Sequence, residues 1–293
     1  MIDLVKPKPL IKNILKYILI LILGLVLVRF ITNLQKSKIK VNELSSSTLW
    51  PNIDDNLFQD NLTRNLNETL YLYQGSGTNL CAFSAITYHL IKSDPAEYKR
   101  LVTELYQKGE TITKDGKTLK PSDAVRKYAG TLKNTGRLDI NHADQLWFLT
   151  LADNYKGYVN IINWSYNYGD ESNTWASTNF GKFNRILKSL TGKEIVSKGS
   201  DLLRPSIDNY YQYIKDLQQN HSILLYLNNT VLNKRDFSSI TWPIPTHFVE
   251  LYNLYPKDDY YVLEYWDYGF LTKEIIKRDK FNELIFGITS IKK

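Results

Sequence analysis

Cys81 is the only thiol in the chain. It stands near the start of Asn79 to Ile91 (NLCAFSAITYHLI), where Ala82, Ala85, Ile86, His89 and Leu90 share one helical face. A thiol in the first turn of a helix meets unpaired backbone N–H groups and the positive end of the helix dipole. Both favour the thiolate, which is the reactive form. The same position also suits a small buried hydrophobe beside Ala and Phe. Seven residues upstream, Gln74 begins Gln74-Gly75-Ser76-Gly77-Thr78. Its side-chain amide can donate to an oxyanion beside the thiol, and the glycines permit close approach. A phosphate-binding loop is not indicated, because no Gly-Lys-Ser/Thr follows.

A nucleophilic thiol needs a base. His247 opens an alternating stretch, HFVELY, after Pro245 and Thr246. Pro256-Lys257-Asp258-Asp259 turns the chain, Tyr260 to Trp266 returns, and Asp267 closes the return with Gly269 just beyond. If the two strands are antiparallel neighbours, His247 and Asp267 meet at one edge of the sheet, and the carboxylate can orient the imidazole. The other histidines fit this role less well. His89 lies eight residues along the Cys81 helix, about 12 Å by helical rise. His142 sits at a helix start and His221 before a strand, neither with an acidic partner at strand spacing. No His-x3-His or similar metal spacing occurs, a single Cys excludes a multi-Cys metal site and an internal disulfide framework, and no cofactor site is read.

These residues must be carried by a core. Asp94-Pro95 ends the Cys81 helix and starts a second, in which Tyr98, Leu101, Val102, Leu105 and Tyr106 share a face and Gly109 is the stop. Thr111 to Lys120 reads as a hairpin with a two-residue Asp-Gly turn. Pro121-Ser122 and Asn141 mark further helix starts. Residues 155–180, rich in Tyr, Trp, Asn and Gly, have no clean period and suggest a long loop, with 155–220 a possible insertion. Ser222 to Leu227 reads as a buried strand, Lys280 to Phe286 as a short helix and Gly287 to Ile291 as a last strand. Helices first and antiparallel strands last define an α+β domain over 54–293.

The chain of 293 residues is 43% hydrophobic, 13% aromatic and 23% charged, which excludes global disorder. Its net charge of +7 lies wholly within residues 1–40, and residues 41–293 balance 29 basic against 29 acidic side chains. The domain thus lacks the electrostatic excess that nucleic-acid binding needs. Tyr17 to Val28 (YILILILGLVLV) is an unbroken apolar run; with snorkelling Lys16 and Arg29 it reads as one transmembrane helix within an N-terminal membrane anchor, 1–34, of a single-pass protein. A cleaved signal peptide is the rival, against which stands the lack of a small-x-small cleavage site; a buried helix of the domain is the third option. The side of the membrane is open, since Lys and Arg flank the run evenly. Residues 35–53 read as a linker.

Gln-Gly-x-Gly-x-x-x-Cys-Ala at a helix start, then a buried strand, then Thr-His-Phe-Val-Glu-Leu, then Tyr-Val-Leu-Glu-Tyr-Trp-Asp-Tyr-Gly, together resemble papain-like cysteine peptidases. The closer likeness is to bacteriocin-processing-like peptidases and secreted effector proteases of bacteria. It covers about residues 70–91 and 222–291. The resemblance implies a papain-like fold and a peptide or protein substrate, with Cys81 as nucleophile, His247 as base, Asp267 as its orienting group and Gln74 as oxyanion donor. The same machinery serves amidases, deamidases and acyltransferases, including toxin-like ones, and a degenerate domain of this kind can serve binding alone.

Overall fold

The alternating C-terminal third builds a six-stranded antiparallel sheet, and the helical first half packs on one face of it. A computed structural model describes residues 44, 46–75, 77–132, 140–228 and 245–293, all within one unit, 41–293. The helices are α1 (Asp55–Asn67), α2 (Cys81–Ser93), α3 (Pro95–Lys108), α4 (Asp123–Tyr128), α5 (His142–Asn154), α6 (Phe180–Thr191), α7 (Tyr210–Gln218) and α8 (Arg278–Leu284). A small hairpin pairs β1 (Thr111–Ile112) with β2 (Thr118–Leu119). The main sheet holds β3 (Ile195–Gly199), β4 (His221–Leu227), β5 (His247–Lys257), β6 (Tyr260–Asp267), β7 (Phe270–Lys277) and β8 (Ile285–Lys292), in the order β3-β8-β4-β5-β6-β7.

Alternation along the strands sorts side chains to two faces. Ile223, Leu225, Leu227, Val249, Leu251, Leu263 and Tyr265 face one way and pack with Ile214 of α7 and Phe281 and Leu284 of α8. Tyr226, Phe248, Glu250 and Trp266 face the other way. There Phe248 stacks on Phe183 of α6, Trp266 stacks on Tyr88 of α2, and Glu250 meets His89 of α2. Helix α2 is therefore the centre of the molecule: every residue from Ala82 to Ile91 is buried. The one-faced helix read from the sequence is instead covered on all sides, by the sheet and by α3, α5 and α6. Helix α3 keeps the expected face, burying Tyr98, Leu101, Val102, Leu105 and Tyr106, with Asp94 as N-cap and Gly109 in the left-handed conformation at its end.

Three corrections follow. The longest helix among the described residues has 14 residues. That is about 21 Å at 1.5 Å per residue, against about 30 Å of hydrocarbon. No described helix is long and apolar enough to cross a membrane. The expected transmembrane helix of 1–34, and the single-pass membrane localisation built on it, are set aside on that finding, and the segment itself lies outside the described residues. Within it the apolar run alone is twelve residues, Tyr17 to Val28. Second, the β1–β2 connection is longer than two residues: Thr111 pairs with Leu119 and Ile112 with Thr118, which leaves Thr113 to Lys117 between the strands, closed by Thr113 N–H donating to Lys117 O at 2.9 Å, with Gly116 at φ 85°. Third, β3 and β7 are strands that the sequence pattern did not reveal. Within residues 155–220, α6 packs on α2, β3 joins β8 at the sheet edge, and α7 covers β4. Trp50 is buried at the end of the segment read as linker, its indole N–H donating to the Leu105 carbonyl at 3.0 Å.

Candidate active site

Cys81 is the first residue of α2, capped by Leu80 with no side-chain cap. The chain before it is anchored by Asn79, whose backbone N–H donates to Glu171 O at 2.8 Å and whose side chain donates to Ser172 O and Asn173 O at 2.9 and 3.0 Å. The Tyr- and Asn-rich loop thus fixes the start of the helix. The Cys81 side chain is half-buried, and its Sγ lies 3.8 Å from Thr246 O, the carbonyl just before His247.

His247 opens β5 and is buried, with 1% of its surface exposed. Its Nε2 bonds Asp267 Oδ1 at 2.7 Å, and Cys81 lies beside the backbone that carries it. Burial alone would depress this imidazole; the hydrogen bonds and charges of Asp267 and Cys81 overcome it and push the group up to about 9. The structure places His247 and Asp267 in contact at one edge of the sheet, with Cys81 beside the carbonyl just before His247.

The face on which Asp267 stands depends on a β-bulge. From the turn, β5 and β6 pair Lys257 with Tyr260 and Leu254 with Leu263. Continued unchanged, that register would set Asp267 opposite Glu250, on the sheet face opposite to His247. The register shifts between Leu251 and Asn253, so Leu251 pairs with Tyr265 and Glu250 with Trp266. The extra residue, Tyr252, sets Asp267 opposite Val249 and one diagonal step from His247, on the same face. The phenol of Tyr252 bonds that of Tyr88, which ties the bulge to α2.

Gln74 is 4% exposed. Its Oε1 accepts from Ser84 Oγ at 2.5 Å, and Ser84 lies one turn after Cys81. This leaves the amide N–H₂ as the donor end of the side chain, with Tyr268 lining the same cavity. Gln74, Tyr268 and Asp267 line a cavity of about 420 Å³ with Tyr73, Thr78 and Phe270.

Tyr268 was not among the residues singled out from the sequence, yet its hydroxyl bonds Nδ1 of His247. Burial first, then the nearby Cys81 and Asp267, hold its phenol far above the ordinary range, so it stays protonated. Tyr268 and Gly269 form the two-residue turn between β6 and β7, with φ 46° and 88°. A tyrosine in this left-handed conformation costs about 1–2 kcal/mol. Gly269 cannot be replaced freely, since a Cβ would come within 3.3 Å of Leu72 O. The only sequence signal for this role was the Tyr-Gly pair directly after Asp267.

The remaining histidines lie elsewhere. His142 Nδ1 accepts from Asp54 N at 2.8 Å, His221 bonds Leu217 O at 3.3 Å, and His89 bonds Glu250. Among the described residues, no group of three or more His, Cys, Asp or Glu could hold a metal ion. Set beside known proteins, the chain matches no family model and no curated sequence.

Proposed function

We propose that the protein is a thiol hydrolase that cleaves peptide bonds through Cys81, His247 and Asp267, in the manner of papain-like cysteine peptidases. One observation carries the reading: a buried imidazole held by Asp267 through Nε2, with a half-buried thiol at a helix N-terminus beside the carbonyl that precedes it in the chain. His247 takes the thiol proton, and the thiolate attacks the carbonyl carbon of the substrate amide. The tetrahedral oxyanion is held by the backbone N–H of Cys81 and by the Gln74 amide. The His247 imidazolium protonates the leaving nitrogen as the C–N bond breaks, leaving a thioester. Water, deprotonated by His247, then attacks the thioester, releasing the acid and restoring the thiol. Asp267 holds the ring and stabilises the imidazolium. Tyr268 bonds Nδ1 of His247, so its hydroxyl positions the ring.

The test is turnover of a fluorogenic peptide library by wild type and Cys81→Ala. The variant is expected to lose about 10⁴-fold or more in rate while its melting temperature stays near that of the wild type. Equal turnover by the two proteins contradicts the assignment.

A further inference from the structure

Four lysines converge on a buried histidine at the far end of α2. A cavity of about 230 Å³ is lined by His89, Glu250, Lys92, Lys193, Lys292 and Lys293. Four lysine side chains thus line the cavity beside the Glu250 carboxylate, and that carboxylate is already engaged. Glu250 Oε1 accepts from Lys92 Nζ at 2.7 Å, and Oε2 lies 3.1 Å from His89 Nδ1. Burial opposes its ionisation, but His89 and Lys92 together hold the group below the usual carboxylate range.

His89 is 3% exposed. Because the ionised Glu250 takes the Nδ1 hydrogen bond, Nε2 is the free ring nitrogen, and it is buried without a hydrogen-bond partner among the described residues. A buried, unpaired ring nitrogen is costly and calls for a partner. Two of the lysines donate to backbone carbonyls, Lys193 to Lys292 O at 3.3 Å, with Asp94 also in its electrostatic reach, and Lys293 to Gln218 O at 2.8 Å. An ammonium has three donors, so each keeps N–H groups for a ligand.

We propose that this cavity binds a phosphate group, free or as a monoester, held by Nε2 of His89 and the surrounding lysine ammonium groups. Phosphate supplies several acceptor oxygens for the lysines. The imidazole serves in either state: Nε2 accepts from the P–OH of hydrogenphosphate or, carrying a proton, donates to a P–O⁻. A water occupies about 30 Å³ of liquid, so the cavity has room for a tetrahedral oxyanion and a few waters. The site is independent of the hydrolase reading.

The test titrates the full chain with inorganic phosphate and, separately, glycerol phosphate, by calorimetry at constant ionic strength made up with chloride. One saturable site is expected for inorganic phosphate, weakened about tenfold or more in Lys193→Gln/Lys292→Gln, whose side chains line the cavity. Equal binding of glycerol phosphate assigns the site to esters as well, and binding of inorganic phosphate alone assigns it to the free ion. A second readout needs no variant: the ring ¹⁵N resonances of His89 should move with phosphate while those of His142 and His221 stay. No saturable binding up to about 10 mM, unchanged affinity in the double variant, or unmoved His89 resonances would overturn the proposal.

Discussion

Two buried histidine–carboxylate pairs link the same strand, β5, to its neighbours. At one end His247 bonds Asp267 at 2.7 Å, and at the other His89 of α2 bonds Glu250 at 3.1 Å. Both rings are at least 97% buried. The pairs differ in what meets the second ring nitrogen. For His247 that side of the ring finds a tyrosine hydroxyl and a thiol at a helix start. For His89 the second nitrogen finds no protein partner among the described residues, and lysines surround the space before it. A buried imidazole–carboxylate pair is therefore not a catalytic signature by itself. Under the two proposals, what lies at the second nitrogen decides whether the ring takes a proton from a nucleophile or waits for a ligand.

The largest test of this contrast removes each carboxylate charge in turn. Asp267→Asn should lower kcat by about 10²–10⁴-fold, because the ring loses the partner that fixes its tautomer and stabilises its charged form. Glu250→Gln should register in unfolding, with about 2–3 kcal/mol lost, because Lys92 and His89 lose a buried ionic partner. Comparable losses of stability and no loss of rate for Asp267→Asn would erase the distinction.

A smaller effect is the pH dependence of stability. The folded protein holds the proton on His247 up to about 9, whereas an unfolded chain releases it near 6.5. The folded state thus binds more protons between these values. Its stabilisation is complete below about pH 6.5 and is lost as pH rises through about 9, by at most about 3 kcal/mol. Denaturation midpoints of wild type and His247→Gln from pH 6 to 10 should converge toward the alkaline end. Parallel curves would contradict the raised imidazole.

The candidate site residues were legible because each sits at the end of a strongly patterned element. Cys81 follows the turn before an apolar helix, His247 opens an alternating strand, and Asp267 ends the next. Helix α3 was legible in full, since its apolar spacing, Asp94-Pro95 start and Gly109 stop agree. What was not legible has no local pattern. The bulge at Tyr252 is one extra residue inside a good strand, and nothing in LYNLY marks it. Strand β3 is an edge strand with four of its five residues exposed, and β7 is largely exposed as well, so neither shows a hydrophobic run. Tyr268 occupies a turn position that favours Asn or Gly, and its role comes from the ring it touches. Glu250 was read only as a polar position in an alternating strand, and its partner His89 only as a residue on the Cys81 helix face.

The central claim is that His247 activates the Cys81 thiol, and alkylation tests it without knowledge of the substrate. The rate of iodoacetamide labelling of Cys81 is to be measured at pH 6–7 against a small free thiol, which is mostly protonated there. The account predicts folded wild type to label at least about tenfold faster than the free thiol, with His247→Gln falling back to or below it. Labelling of wild type no faster than the free thiol, or unchanged by His247→Gln, would contradict it.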